Sequence, residues 1–323
     1  MKISKSRGRW PTWGRVAILF GVVSLAASGV MSGQGQPYFS QQTLPRGQNI
    51  APAFEGWEAN PDGTFNMVFG YFNRNWEEQP HVPIGPDNTI DPGGPDQGQP
   101  TLFFPRRNKF VFRVRVPKDF GKKELVWTLT SNGKTERAYA TLKDDYRLDP
   151  RVLQTNTHMR LAVLGYPEFD KDMEANVAPI VKLEGDTRRT VKVGEPLSLS
   201  AFVTDDGRLK AQAAPPGVDS DTTALGLRVA WFVYRGPGDK VTFDPPQFKV
   251  YQDKKPGGNS PFTPRWMPPP VPADHKYPVK VIFGTPGAYV VRVLAHDGGL
   301  DTAADVTVNV AGASSSKTAA SVR

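Results

Sequence analysis

The sequence predicts an all-β protein made of two antiparallel β-sandwich domains that follow an N-terminal signal segment. Apolar residues come in short runs with a period of two, separated by turn residues in a chain with 31 Gly and 31 Pro. The length of 323 residues is enough for roughly two domains, each with its own core. Because there is no cysteine, the sequence excludes disulfides, thiolate metal sites and cysteine nucleophiles.

Residues 1–32 are predicted to be a signal peptide or membrane anchor. An uncharged apolar run over residues 16–31 follows five basic residues, Lys2, Lys5, Arg7, Arg9 and Arg15. Small residues near its end offer cleavage after Ser28 or Ser32. We therefore expect an exported bacterial protein in the periplasm, the outer envelope or the medium, which contacts a membrane only through this segment if it is uncleaved. These five basic residues account for five of the eight net positive charges of the chain, so the remainder carries only +3. We therefore expect no nucleic-acid partner.

The first domain is predicted over residues 57–176, after a Gln-rich flexible lead-in over 33–56. Residues 64–73 and 109–116 alternate as half-buried strands, and Asn132-Gly133 predicts a two-residue hairpin turn. Residues 144–178 have no sustained period and are interpreted as a connector, with a charged or helical turn at 171–176. The segments 70–75 and 98–103 resemble a module of uncharacterised, predicted-secreted bacterial proteins, a resemblance that implies no function.

The second domain is predicted over residues 177–311, followed by a Ser- and Ala-rich disordered tail over 312–323. Its strands cover 178–183, 197–203 and 227–234, and a hairpin over 285–310 closes it. The residues expected to face the core are Leu197, Leu199, Ala201, Val203, Leu227, Val229, Trp231, Val233, Tyr289, Val291, Val293, Ala295, Ala304, Val306, Val308 and Val310.

These residues resemble the immunoglobulin-like and PKD-like extracellular sandwiches. The resemblance implies that Trp231 is a core tryptophan and that Tyr289 forms a tyrosine corner, with Val291 where an antibody domain has cysteine. It also implies a role in binding or spacing rather than one particular activity.

No complete catalytic motif is present. The four histidines, His81, His158, His275 and His296, are isolated in the sequence, and His296 is expected at the surface. Neither a Gly-x-Ser-x-Gly elbow nor a His-Glu-x-x-His helix occurs. We therefore predict no catalytic residues and no enzyme, and keep a divergent secreted hydrolase as an alternative.

Two sets of loop residues are candidates for binding. Asp205, Asp206, Asp297 and Asp301 lie on loops that can meet at one pole of the second domain, where calcium could bind, although Asp-Gly pairs also simply make turns. We otherwise expect no cofactor. Trp76 and Trp266 are predicted on loops, where a tryptophan either contacts a ligand or closes the loop over its own domain.

The function predicted from the sequence is that of a secreted or envelope protein without enzymatic activity, which binds or acts as a scaffold through loops on its sandwiches. Its partner is expected to be an envelope protein or a polysaccharide. A polysaccharide-binding accessory module is the first alternative.

Overall fold

The computed structural model describes residues 44–157, 171–210, 226–247 and 270–312, with the side chains of 155–157 left out. The predicted signal segment and nearly all of the predicted tail lie outside these ranges. The described residues belong to one compact unit, Thr43–Arg323. Within them, no helix combines the length and the apolar character that crossing a membrane would require.

The first sandwich consists of two three-stranded antiparallel sheets, ordered β1-β2-β4 and β3-β5-β6. The strands are β1 Ile50–Ala59, β2 Phe65–Asn73, β3 Asn88–Asp91, β4 Arg106–Val116, β5 Leu125–Ser131 and β6 Lys134–Ala140. Strand β1 begins inside the range predicted as lead-in, ahead of Trp57. The Asn132-Gly133 hairpin is confirmed, because both residues have the positive φ, 47° and 74°, that a type I′ turn requires.

An aromatic cluster forms the core of the first sandwich. The buried Trp127 packs edge-on against Phe112 at 5.0 Å and against Phe69 at 5.9 Å between ring centroids. Its indole N–H donates to Oδ1 of the buried Asn88 at 3.0 Å. Asn88 in turn donates to the carbonyls of Val82 and Pro100. The Pro- and Gly-rich loop over residues 74–100 is therefore held in place by a buried amide, since its backbone groups need partners inside the protein.

The connector is partly helical. After a 3-10 turn at Asp144–Tyr146 come α1 Pro150–Thr157 and α2 Lys171–Glu174, so the predicted helical turn is present. Partly buried Val152 and Leu153 of α1 pack on a small cluster formed by Val68, Phe110 and Leu148. The chain then enters the second sandwich at β7.

The second sandwich has two four-stranded sheets, ordered β7-β9-β12-β11 and β8-β14-β13-β10. The strands are β7 Ile180–Leu183, β8 Arg188–Lys192, β9 Pro196–Thr204, β10 Arg228–Arg235, β11 Val241–Asp244, β12 Lys276–Phe283, β13 Gly287–His296 and β14 Asp301–Ala311. Among the described strands of this sandwich, all pairs are antiparallel except β8 with β14, which is parallel. This is the ABED-on-CFG arrangement of an immunoglobulin-like sandwich, with the first strand divided between both sheets. The predicted fold class is confirmed.

The predicted core of the closing hairpin is also present. Tyr289, Val291, Val293 and Ala295 are fully buried, and Trp231 is 1% exposed. The Tyr289 hydroxyl donates to the carbonyl of Thr285 at 2.9 Å, four residues upstream, which is the bond of a tyrosine corner. The finer resemblances, to PKD-like domains and to a module of secreted proteins, stay predictions.

Candidate functional site

The outer face of the β8-β14-β13-β10 sheet is covered by the first sandwich. Strand alternation assigns this face to solvent, yet Phe232, Tyr234 and Leu294 are buried. Phe104, from the loop before β4, packs edge-on against Phe232 with 5.5 Å between ring centroids. Both sandwiches also contribute to one continuous hydrophobic cluster. We call this contact between the sandwiches the junction.

Residues 98–102 bind along the open edge of β10. The Thr101 N–H donates to the carbonyl of Tyr234 at 3.2 Å, and the Tyr234 hydroxyl donates to the carbonyl of Gly98 at 2.6 Å. The Gly236 N–H donates to Thr101 Oγ1 at 2.9 Å. A loop of the first sandwich thus satisfies backbone groups that an edge strand would otherwise present to other chains.

A bidentate ion pair closes this end of the junction. Arg235 donates from Nη1 and Nη2 to the two carboxylate oxygens of Asp96, at 3.0 and 2.7 Å, and from Nε to the carbonyl of Gln99 at 2.9 Å. The hydrogen bonds from Arg235 lower the pKa of Asp96. The planar guanidinium fixes the orientation of both partners, which a lysine ammonium could not do.

Further charges lie across the same sheet face. The Arg292 guanidinium lies 3.4 Å from the centroid of the Tyr234 ring and forms two bonds with Asp305, at 2.7 and 2.8 Å. Burial raises the pKa of Asp301, and the positive charge of Arg113 on β4 opposes this. Arg113 also pairs with Glu58 at 3.0 Å. Asp301 therefore faces charges of the first sandwich.

Two of the four predicted calcium ligands interact at the tip of the closing hairpin. Burial raises the pKa of Asp297 to about 6, and the charge of Asp205 adds to this effect. Asp297 is fully buried, and its Oδ1 accepts the N–H groups of Gly299 and Leu300 at 2.6 and 2.7 Å. Its Oδ2 accepts from Asn176 Nδ2 at 2.9 Å. Oδ1 of Asp205 and Oδ1 of Asn176 are buried and have no hydrogen-bond partner among the residues that the structure describes.

The other two carboxylates do not complete this set. Asp206 accepts from the Val177 N–H at 3.0 Å and pairs with Arg208 at 3.5 Å, while Asp301 faces Arg113. Over residues 44–157, 171–210, 226–247 and 270–312, no three His, Cys, Asp or Glu side chains are grouped as a metal site would require. Calcium binding stays a prediction, now centred on Asp205 and Asp297.

Trp76 is partly buried and stacked. The guanidinium of Arg106 lies 4.2 Å from the centroid of its ring, and 4.8 Å from that of Phe72. One face of the indole is therefore already occupied by a side chain of the same sandwich. Trp266 lies outside the described residues.

The histidines that the structure describes are not brought together. His81 is exposed overall, and the partial shielding of its ring from water lowers its pKa. His296 is buried, which corrects its predicted surface position, and its Nδ1 accepts the Gly298 N–H at 2.7 Å. It is buried because it lies on the sheet face that the first sandwich covers. His275 contacts the ring of Phe202. His158 lies outside the described ranges.

Sequence reasoning missed Asn176, Arg106 and the Asp96–Arg235 pair. The sequence predicts Asn176 in a charged or helical turn at the domain boundary, and it leaves Arg106 outside the strand predicted over 109–116. Arg235 directly follows the buried strand predicted over 227–234, and a charged residue at such a position can cover an open strand edge. Its partner, however, lies 139 residues away in sequence.

No known protein-family model matches this chain, and neither does any curated protein. Among solved structures it is similar to domains 4 and 5 of the S-layer protein SbsC (10% identity over 58% of this chain and 65% of that one, TM-score 0.23). It is also similar to the fibronectin(III)-like modules of Clostridium thermocellum CbhA (13% identity over 82% of this chain and 95% of that one, TM-score 0.21). A third similar structure is that of the Yersinia pseudotuberculosis adhesin InvE (12% identity over 84% of this chain and 61% of that one, TM-score 0.22). TM-scores of this size carry no argument, so the fold assignment is based on strand order and register.

Proposed function

We propose that this chain is an exported protein of the bacterial envelope, without enzymatic activity, in which two rigidly joined sandwiches act as a scaffold and bind a surface partner through their loops. The observation that carries the proposal is the junction. A backbone-paired loop, a bidentate ion pair and buried aromatic side chains hold the sandwiches in one orientation. A fixed orientation suits a spacer, whereas relative motion is the default for domains joined by small polar contacts.

The internal position of the charged and aromatic groups supports a structural role. Arg292, Asp305 and Tyr234 satisfy one another, and His296 accepts from the hairpin backbone. A catalytic centre needs a nucleophile and a base within reach of a substrate. Export is supported by the apolar segment and by the lack of cysteine, and both are features of the sequence alone.

The test is crosslinking and affinity capture of the tagged full chain from its native envelope, with bound protein and glycan both identified. We expect the chain to be found in the envelope fraction. We also expect one partner to be recovered with it reproducibly. The matched control carries Asp96→Ala and Arg235→Ala, which loosen the junction and should reduce recovery of a partner that contacts both sandwiches. A cytoplasmic chain, or turnover of a substrate that depends on one His or Asp, would contradict the proposal.

A further inference from the structure

Arg106 is held in a backbone conformation that its residue type rarely adopts. Its φ is +65°, in the left-handed region that favours glycine. Strain of this kind persists where the surrounding structure over-determines it, and it concentrates at functional sites. Asn108 supplies that surrounding structure, because its side chain donates to the carbonyls of Phe104, Pro105 and Arg106.

The guanidinium lies beside two aromatic rings and, among the residues that the structure describes, donates one hydrogen bond. Its centre lies 4.2 Å from the Trp76 ring centroid and 4.8 Å from that of Phe72. Nη1 donates to the carbonyl of Arg74 at 2.9 Å, while Nε is buried without a partner. A guanidinium has five N–H donors, and a carboxylate can accept two of them side by side. Arg106 as a whole is partly exposed.

The segment that carries Trp76 is fixed in advance. The Trp76 N–H donates to the carbonyl of Leu44 at 3.1 Å. The buried Asn75 side chain donates to the Gln48 carbonyl and to Asn73 Oδ1, both at 2.9 Å. A ligand at this surface would therefore not have to order the loop, and ordering is a main cost of binding.

The nearby charges leave Arg106 available to an anion. Arg74 is 46% exposed and lies 3.8 Å from Glu136, a contact at the outer limit of an ion pair. Glu136 also accepts from the Asn49 side chain at 3.0 Å. Glu78 accepts the N–H of Gly47. Glu136 and Glu78 thus have partners other than Arg106, and no ion pair involves Arg106 within the described ranges.

We propose that Arg106, with Arg74 and the indole of Trp76, binds the carboxylate of an acidic polysaccharide, a uronate-containing glycan. The guanidinium accepts the carboxylate and the adjacent indole contacts the apolar side of the sugar ring. An acidic peptide offers the same carboxylate but no sugar ring. The proposal rests on the exported location proposed above, but its test uses purified protein, so failure of one does not imply failure of the other.

The test measures binding of the purified full chain in detergent to polygalacturonate, with dextran as the uncharged glycan and poly-glutamate as the acidic peptide. We expect binding to polygalacturonate that weakens with salt, at least tenfold weaker binding to the other two, and at least a tenfold loss in Arg106→Ala. Arg106→Lys keeps the charge but not the planar fork, and should lose about fivefold. Arg137→Ala removes an exposed arginine of β6 and should bind as the unaltered chain does.

Each other result overturns the proposal. These are no binding to polygalacturonate, equal binding to poly-glutamate or dextran, and an affinity unaffected in Arg106→Lys and Arg106→Ala. Thermal unfolding of each variant is measured alongside, and Arg106→Lys serves as the second variant if Arg106→Ala does not fold.

Discussion

Arg235 of the second sandwich donates hydrogen bonds to both carboxylate oxygens of Asp96 in the first, at 3.0 and 2.7 Å. The pair is partly exposed, with the Arg235 side chain at 22% and that of Asp96 at 52%. It therefore orients the junction more than it stabilises it, and buried contacts such as Phe104 with Phe232 supply the larger share of the free energy.

Arg235→Lys should lower the free energy of unfolding by about 1 kcal/mol, because a lysine loses one bond to Asp96 and the bond to the Gln99 carbonyl. Urea unfolding measures it. The matched control is Arg115→Lys, whose ion pair with Asp62 lies within the first sandwich and is more exposed, so its cost should stay below about 0.5 kcal/mol. Equal costs for the two variants would contradict a specific role for the junction pair.

Tyr289→Phe removes the hydroxyl that donates to the Thr285 carbonyl at 2.9 Å while the ring keeps its contact with Phe283. We expect a loss of about 1 kcal/mol in the free energy of unfolding, the usual value of one such bond. Tyr139→Phe, at an exposed position of β6, should cost nothing measurable in the same denaturation experiment. If Tyr289→Phe cost as little unfolding free energy as Tyr139→Phe, the tyrosine corner would not stabilise this sandwich.

Gly236→Ala should destabilise the chain by about 2 kcal/mol or more. Gly236 has φ +112°, and a Cβ there would lie 2.5 Å from Cδ1 of Tyr289, so strain and overpacking combine. Gly133→Ala provides the comparison, because its φ is also positive but no atom lies within 4 Å of its added Cβ. Thermal melts should show the smaller loss for Gly133→Ala, and the reverse order would be evidence against this geometry.

The contribution of Asp297 to stability should fall as the pH rises from about 4 to 6. Burial raises its folded-state pKa to about 6, so the folded chain holds a proton that the unfolded chain has already lost. This contribution is full below the usual carboxyl range and is lost as the pH rises through 6, with a span of about 3 kcal/mol. Asp297→Asn should flatten the profile of urea midpoint against pH. A profile identical to that of the unaltered chain would show that Asp297 does not titrate this way.

Calcium at millimolar concentration should raise the melting temperature at pH 7 if Asp205, Asp297 and Asn176 bind it, and Asp297→Asn should abolish the rise. The buried, unpartnered oxygens of Asp205 and Asn176 are the reason to test it. An unchanged midpoint with calcium and with chelator would reject the calcium hypothesis.

The strand alternation of the sequence predicted the inner faces well. Tyr289, Val291 and Val293 are buried as expected because a period of two places every second residue on the core side. The same rule left Arg292 to solvent, and the junction covers it, since a local pattern does not contain contacts between distant segments. Strand β1 was missed because Pro52 and the Gln-rich flank favour a loop.

The candidate site was predicted only in part. The charge of Asp205 does act on Asp297, but no sequence pattern indicated Asn176, which donates to Asp297 from the connector. Trp76 was predicted on a loop, either to contact a ligand or to close the loop over its own domain, and the sequence did not indicate that its ring lies against Arg106. Both differences arise from side chains far apart in sequence.

The most direct test of the rigid junction is the distance between the two sandwiches in solution. The absence of cysteine allows spin labels to be attached at Tyr139→Cys on β6 and Lys280→Cys on β12, both exposed positions. Double electron–electron resonance should give one narrow distance distribution, and the added substitution Arg235→Ala should broaden it. A broad distribution in the chain with an intact junction would contradict the account, because the sandwiches would then move independently.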